Sequence, residues 1–216
     1  MAYITIQELK DYIRTLTSIT AETFTAGEDV MWQTLCDEAQ AEIEQVTKRK
    51  FEASTQTRYY LSNNLRYQER AEVQYTISDV TSAPILLLDE DLISITTITN
   101  GDQNLTVVPS SDYWLLPFNL TPKYGLQLKP TASIGAWESS NGNRISILGS
   151  WGFSTVASND IKRLTKRIAY FFYIKRNQAD EKTIFSGGMT ITNSEFPADI
   201  KNSLSMYTRK TWIGAN

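Results

Sequence analysis

The apolar residues near the amino terminus recur at three- and four-residue intervals, the spacing of a helix that buries one face. Thr5 and Glu8 stand before the first apolar run in the arrangement of a capping box, and they predict a short helix from about Ile6 to Leu16. A second box, Thr25 to Glu28, opens a longer helix that is predicted to run to about Lys50. The apolar stripe of this second helix consists of Trp32, Leu35, Ala39, Ile43 and Val46.

From Phe51 to Ser158 the pattern changes to short runs of β-branched and aromatic residues separated by turn residues. Such runs predict an antiparallel β lobe inserted between helices. Asn100-Gly101 predicts a tight hairpin, because both residues tolerate positive φ. The predicted strands are Arg58–Leu61, Val73–Ile77, Ile85–Leu88, Ile93–Thr99, Leu105–Val108, Tyr113–Leu116, Leu126–Lys129 and Ile145–Trp151.

Helical periodicity returns after Ser158-Asn159-Asp160, residues that cap helix amino termini. Gly187-Gly188 then interrupts the pattern, Met189–Thr192 follows as a candidate strand, and Pro197 suits the first turn of a last helix. The predicted fold class is therefore α+β, in which long helices form a body that brackets the inserted antiparallel β lobe and a C-terminal docking arm follows. The predicted divisions are 1–50 with 159–186 for the helical body, 51–158 for the β lobe, and 187–216 for the arm with its short strand and helix.

The composition of the chain excludes several kinds of function. The 216 residues include no histidine, so histidine-dependent Ser or Cys triads and histidine zinc sites cannot form. The formal net charge of −3 supplies no positive field to collect phosphates, so tight duplex binding by a monomer is not expected. Cys36 is the single cysteine, no charged-then-apolar leader precedes the first helix, and no apolar run approaches the roughly 20 residues of a membrane span. We therefore expect cytoplasmic synthesis and no membrane segment.

Asp89-Glu90-Asp91 is the densest group of carboxylates. Three such side chains could hold a hard cation or a nuclease magnesium. Consecutive residues of a strand alternate faces, however, so the three converge only in a loop. A solvated acidic turn before a strand is the favoured interpretation, and no catalytic, metal-binding or cofactor-binding residue is predicted.

A basic stripe follows Ser158 on the predicted third helix. One interpretation is a charged face that pairs with acids of the preceding helix. A second is contact with a partner protein, and a third is contact with DNA. The residues of the stripe are Lys162, Arg163, Lys166 and Arg167.

Aromatic residues are frequent in the β lobe, where they could stack on sugars as in carbohydrate-binding modules. Aromatic residues at strand spacing are more often part of a core. The residues concerned are Trp114, Trp137, Trp151, Tyr59, Tyr60 and Tyr113.

The arm carries apolar and cationic residues up to its end, a combination typical of interface anchors. The alternative is a frayed terminus. The residues predicted to contact a partner or a neighbouring subunit are Met189, Ile191, Ile200, Leu204, Tyr207, Arg209, Lys210, Trp212 and Ile213.

Four stretches form a recognisable series along the chain. They are the helix-pair residues Ala39, Ile43, Glu44 and Thr47–Phe51; the strand, hairpin and turn of Leu86–Asp102; Asp112–Asn119 with Pro122 and Gly125–Leu128; and Ile145–Phe153 returning to the helix of Ile161. In this order they resemble the larger head-tail connector (adaptor) proteins of tailed bacteriophages. Compact connectors are nearly all helical, whereas the β lobe here equals the helical part in size.

The resemblance implies a non-enzymatic virion protein that is made in the host cytoplasm and located in the head-tail neck. It implies a ring, dodecameric in such connectors, that binds the portal protein, extends the DNA channel and docks the next neck, stopper or tail protein. Packaged DNA would pass through without sequence-specific binding, and no membrane or cofactor is involved. The alternative from the residues is a carbohydrate-binding or hydrolytic accessory module of the virion.

Overall fold

The structure is a computed structural model that describes residues 3–17, 26–62, 65–66, 85–178 and 197–209. The described residues form two compact units, one within Met1–Phe51 and Ala157–Asn216 and the other within Glu52–Val156. The predicted strand Val73–Ile77 lies outside the described residues. So do five residues of the predicted arm contacts: Met189, Ile191, Lys210, Trp212 and Ile213.

The first unit contains the helices α1 (Ile6–Thr17), α2 (Asp29–Thr47), α3 (Asn159–Gln178) and α4 (Ala198–Ser205). The predicted capping box at α1 is confirmed, because the Glu8 N–H donates to Thr5 Oγ1 at 3.1 Å and the Thr5 N–H donates to Glu8 Oε2 at 2.8 Å. α2 ends where Lys48 adopts the left-handed conformation at φ 55° and its N–H donates to the Glu44 carbonyl.

Each helix of this unit buries one face in a common core. Four of the five residues of the predicted α2 stripe are buried, but Val46 is 39% exposed. Thr47 occupies the buried position instead, with its hydroxyl donating to the Ile43 carbonyl at 2.7 Å. The buried apolar residues of the four helices are Leu9, Ile13, Trp32, Leu35, Cys36, Ala39, Ile43, Ile161, Leu164, Ile168, Ala169, Ile200 and Leu204.

The second unit is an antiparallel sheet, which confirms the α+β class. Its strands are β1 (Ser54–Tyr60), β2 (Leu65–Arg66), β3 (Ile85–Thr99), β4 (Tyr113–Leu116), β5 (Lys123–Leu128) and β6 (Ile145–Trp151). Their order is β1-β6-β3-β5-β4, and β2 lies beside the start of β3. Two strands, β4 and β6, have the predicted bounds because each keeps one pattern between clear turn residues.

β3 is one strand of 15 residues where the sequence predicts two strands and an acidic turn. Register shifts interrupt its pairing after Leu87, Leu92 and Ile95, and such bulges bend a strand. Ser62 lies beside Ser139 near one end of β3, while Leu65 pairs with Leu86 near the other end. Three residues span at most about 11 Å, whereas a straight strand of this length spans roughly 50 Å. β3 therefore bends, so that its two ends lie closer together than the ends of a straight strand.

The predicted tight hairpin at Asn100-Gly101 is wrong. The Asn100 N–H donates to the Thr106 carbonyl, so a longer connection follows β3, and it is Leu105 that takes positive φ. The backbone at Gly101 lies close to the backbone at Arg144, and a Cβ on Gly101 would be 2.7 Å from the Arg144 carbonyl carbon. Glycine is therefore required at this position. The predicted strand Leu105–Val108 shrinks to an isolated bridge between Thr99 and Val107.

Candidate interaction surfaces

The predicted basic stripe of α3 lies along seams between helices of its own unit. Lys162 Nζ is 3.9 Å from Glu8 Oε1 of α1, and Arg167 forms an ion pair with Asp199 of α4. Arg163 Nη2 lies 3.5 Å from Asp160 Oδ1, one turn away on α3 itself. The acids that pair with the stripe thus come from α1, α3 and α4 and not from α2.

The electrostatics of the seam agree with this arrangement. Burial raises the pKa of Glu8, but hydrogen bonds from Thr5 and the charges of Lys162 and Lys166 outweigh it, so the pKa lies below its ordinary value. Arg163 keeps most of its side chain exposed. It is the stripe residue best placed to meet another molecule, and such contact by any of the four stays a prediction.

The described part of the predicted arm packs on its own helical unit. Ile200 and Leu204 are buried, and the ring of Tyr207 meets the ring of Phe51 edge-on at 5.7 Å. The Arg209 N–H donates to the carbonyl of Thr47 at the end of α2. These residues therefore complete an intramolecular core, and their predicted contact with a partner stays a prediction.

The acidic residues 89–91 lie within β3, so their interpretation as a solvated turn is wrong. Arg58 Nη2 is 2.6 Å from Glu90 Oε2, and the Tyr60 hydroxyl donates to Asp89 Oδ1 at 2.5 Å. Burial and this hydrogen bond raise the pKa of Tyr60. The Arg58 guanidinium also lies over the Trp151 ring, 5.1 Å from its centroid. In the described part of the chain, no three His, Cys, Asp or Glu residues are grouped so as to hold a metal ion.

The hypothesis of an aromatic sugar platform is wrong for three of its members. Trp137, Trp151 and Tyr60 are buried, which confirms the interpretation as core. Trp151 donates its indole N–H to the Gln56 carbonyl at 3.0 Å and stacks on Tyr60. These rings thus offer no face to a ligand.

An apolar surface that was not predicted from the sequence lies at the tip of the β4–β5 hairpin. Phe118 is 61% exposed and Leu120 is 65% exposed. The Phe118 ring packs edge-on against Trp114 at 6.1 Å, and Lys123 Nζ donates to the carbonyls of Pro117 and Phe118 at 2.6 and 2.9 Å. The tip therefore presents large apolar side chains on a turn that internal contacts hold in place. Two large apolar residues between prolines are the signal in the sequence that could have indicated this surface.

No helix in the described residues combines the length and apolar character needed to span a bilayer.

The fold of the chain is that of chains from the neck of gene transfer agent particles. The alignment covers 99% of this chain and 93% of a chain from the neck of the empty gene transfer agent particle computed with C6 symmetry, with a TM-score of 0.59 and 14% identity. For the neck of the native particle computed with C12 symmetry, the coverage is 97% and 91%, the TM-score 0.53 and the identity 14%.

A chain from the virion of the native gene transfer agent particle gives a TM-score of 0.57 at 14% identity, with 99% and 93% covered. No protein-family model matches the sequence, and no curated protein matches it either. Identity this low establishes a common fold, and both units take part in it because the alignments cover nearly all of the chain.

Proposed function

We propose that the chain is a structural subunit of the head-tail neck of a tailed bacteriophage or a related particle, acting as a connector (adaptor) that has no catalytic role. The observation that carries the proposal is the likeness to gene transfer agent neck chains over 99% of this chain and 93% of theirs. A common fold alone supports many functions. Here the order of stretches in the sequence, from Ala39 to Phe153, points independently to the same class of protein.

The neck repeats its subunits around an axis, and we infer the same for this chain. The matching necks were computed with C6 and C12 symmetry, which supports a dodecameric ring. A ring requires a heterologous interface, in which one face of a subunit meets a different face of its neighbour. The ring would bind the portal protein on one side and the next neck, stopper or tail protein on the other.

The charges of the chain suit a channel through which DNA passes without sequence-specific binding. The net charge is −3, and Lys162, Arg163 and Arg167 already have acidic neighbours in the structure. Three of the four stripe cations thus already interact with acids of the same chain, so the stripe is not expected to hold DNA phosphates tightly. The proposal includes synthesis in the host cytoplasm and final location in the virion.

The alternative of a carbohydrate-binding or hydrolytic module has less support. Its aromatic residues Trp137, Trp151 and Tyr60 are buried, and its densest acids are held by Arg58 and Tyr60. The whole sequence also lacks histidine, the usual proton shuttle near neutral pH.

The proposal is tested by removing the coding sequence from a strain that produces the particles. We expect DNA-filled heads without attached tails in electron micrographs, and rescue when the intact chain is supplied in trans. Immunogold labelling of purified particles should place the chain at the head-tail junction. Normal tailed particles in its absence, or particles that do not contain it, would contradict the proposal.

A second test concerns the portal protein of the same genome. Mass photometry of the chain with purified portal should show a complex heavier than the portal ring, and the added mass gives the number of subunits. The portal mixed with an unrelated acidic protein of similar size is the control. Absence of added mass under assembly conditions would remove the portal from the proposed partners.

A further inference from the structure

Two strands lie at the ends of the sheet. Among the residues that the structure describes, β1 pairs only with β6 and β4 pairs only with β5. The outer edge of such a strand presents backbone N–H and C=O groups that can receive a further strand. Charged side chains are one device that protects such edges, and β4, with the sequence Tyr-Trp-Leu-Leu, carries none. Its edge therefore lacks the charges that would oppose pairing with another strand.

The β4 edge continues into the exposed hairpin tip. We call this surface the β4 ridge, and it consists of Trp114, Leu116, Phe118 and Leu120. Trp114 and Leu116 lie on one face of the strand because side chains alternate. Phe118 packs against Trp114, and the contacts of Lys123 hold the turn, so little conformational entropy is lost when the ridge is buried.

The opposite end of the sheet carries a second apolar surface. Thr55, Thr57 and Tyr59 form the exposed face of β1, and Leu61 follows at the same spacing. Tyr59 is 63% exposed and Leu61 is 42% exposed. We call Tyr59 and Leu61 the β1 patch. It differs in sequence and position from the β4 ridge, so the two surfaces meet the requirement for a heterologous junction.

The strand directions also allow the two edges to meet. Each neighbouring pair in the order β1-β6-β3-β5-β4 is antiparallel, so four reversals leave β1 and β4 running the same way. A copy placed head-to-tail keeps the direction of its strands. A junction between the β4 edge of one copy and the β1 edge of the next would therefore be a parallel strand pair.

We propose that the β4 ridge of one copy docks on the β1 patch of a second copy of this chain, which continues the sheet from subunit to subunit. This rests on the proposed function as a ring subunit. The ridge offers four large side chains, well below the roughly 800 Å² per partner of a standard interface. A single junction is therefore weak, and ring closure stabilises the assembly because every subunit then makes two junctions.

The test uses the full chain and two double variants in sedimentation velocity and mass photometry. Phe118→Ser with Leu120→Ser disables the ridge, and Tyr59→Ser with Leu61→Ser disables the patch. We expect the wild-type chain to form larger species as its concentration rises. Each variant alone should associate on the order of 100-fold more weakly, because it loses two large apolar contacts.

Mixing the two variants gives the decisive result. The ridge variant keeps its β1 patch and the patch variant keeps its β4 ridge, so one junction forms and both outer surfaces of the pair are disabled. We expect dimers of one variant with the other and no larger species. Val30→Ser is the matched control, because Val30 is 78% exposed on α2 and belongs to neither surface. It should assemble like the wild-type chain.

Three outcomes would overturn this docking: a wild-type chain that stays monomeric up to roughly 500 µM, double variants that assemble normally, or a mixture that shows no dimer in sedimentation velocity at that same concentration. Circular dichroism and thermal unfolding verify that the variants are folded. If they are not, Tyr59→Cys with Phe118→Cys, one position in the patch and one in the ridge, should give an intermolecular disulfide ladder under mild oxidation, and its absence would also overturn the docking. If the docking is overturned, the neck function is still tested separately by whether particles contain the chain. If the chain forms rings but is absent from particles, only the neck function is overturned.

Discussion

Several single residues of the β unit have roles that follow from close packing. A Cβ at Gly101 would lie 2.7 Å from the carbonyl oxygen of Glu138 as well as from the backbone of Arg144. Asp112 accepts hydrogen bonds from both the N–H and the hydroxyl of Ser133, at 2.6 and 2.5 Å. Such residues hold the connections between strands in place. The hydrophobic pattern of the sequence does not predict these contacts.

We expect Gly101→Ala to destabilise the protein by about 1–3 kcal/mol, because the added methyl group must displace backbone atoms. Urea unfolding followed by tryptophan fluorescence measures the effect. Gly135→Ala is the matched control, since a Cβ there meets nothing within 4 Å. Equal unfolding midpoints for the two variants would contradict the close approach at Gly101.

Asp112 should contribute a pH-dependent part of the stability. Hydrogen bonds from the Ser133 hydroxyl, the Ser133 N–H and the Ser111 hydroxyl hold its pKa below the ordinary value. A lowered folded-state pKa means that the stabilisation is present above the unfolded-state pKa and is lost as pH falls through the folded-state pKa. Asp112→Asn should therefore lower stability at pH 7, and the difference from wild type should shrink below about pH 4.

Urea unfolding at a series of pH values measures this difference. Glu38→Gln is the control, because Glu38 is exposed on α2 and its carboxylate has no ion pair within the described ranges. A difference between wild type and Asp112→Asn that stays constant from pH 7 to about pH 3 would argue against the hydrogen-bonded carboxylate as its source.

Individual elements show which features the sequence could predict. β6 keeps strict alternation, and α1 has a complete capping box, so both are recognisable from local pattern. β3 cannot be recognised from local pattern. Its acidic residues 89–91 are typical of a turn, but Arg58 and Tyr60, which are distant in sequence, bind two of them and hold them in the strand. The β4 ridge was overlooked for a related reason, since its exposure depends on β4 lying at the sheet edge. Tertiary contacts decided both cases.

α4 belongs to the core of the helical unit, although the sequence predicts it as part of a C-terminal arm. The sequence pattern predicts an arm over residues 187–216, which suggests that the body could fold without it. Ile200 and Leu204 are buried in the helical core, however, so we expect Leu204→Ala to cost about 2–5 kcal/mol. Met206→Ser is the control, because Met206 is 84% exposed. Unfolding curves of Leu204→Ala that coincide with wild type would show that α4 is dispensable to the core.

At the scale of the whole molecule, one compact unit is inserted within the sequence of the other. The insertion is compatible with two folded units because the β unit begins and ends at one place. Ser54 pairs with Trp151, and Gly152 lies so close to Ala53 that a Cβ on it would be 2.8 Å from the Ala53 Cα. Chain ends that lie together allow a unit to be inserted without stretching its host.

We therefore expect the segment from Glu52 to Val156 to fold when it is produced alone. It has its own core, in which Leu86, Leu126 and Ile147 are buried, and its two ends are joined by the β1–β6 pairing. Cooperative thermal unfolding and dispersed methyl resonances would verify this, with the Gly101→Ala segment as a destabilised control. A segment without cooperative unfolding would show that the helices supply part of its stability, and the two units would then have to be treated as one cooperative structure.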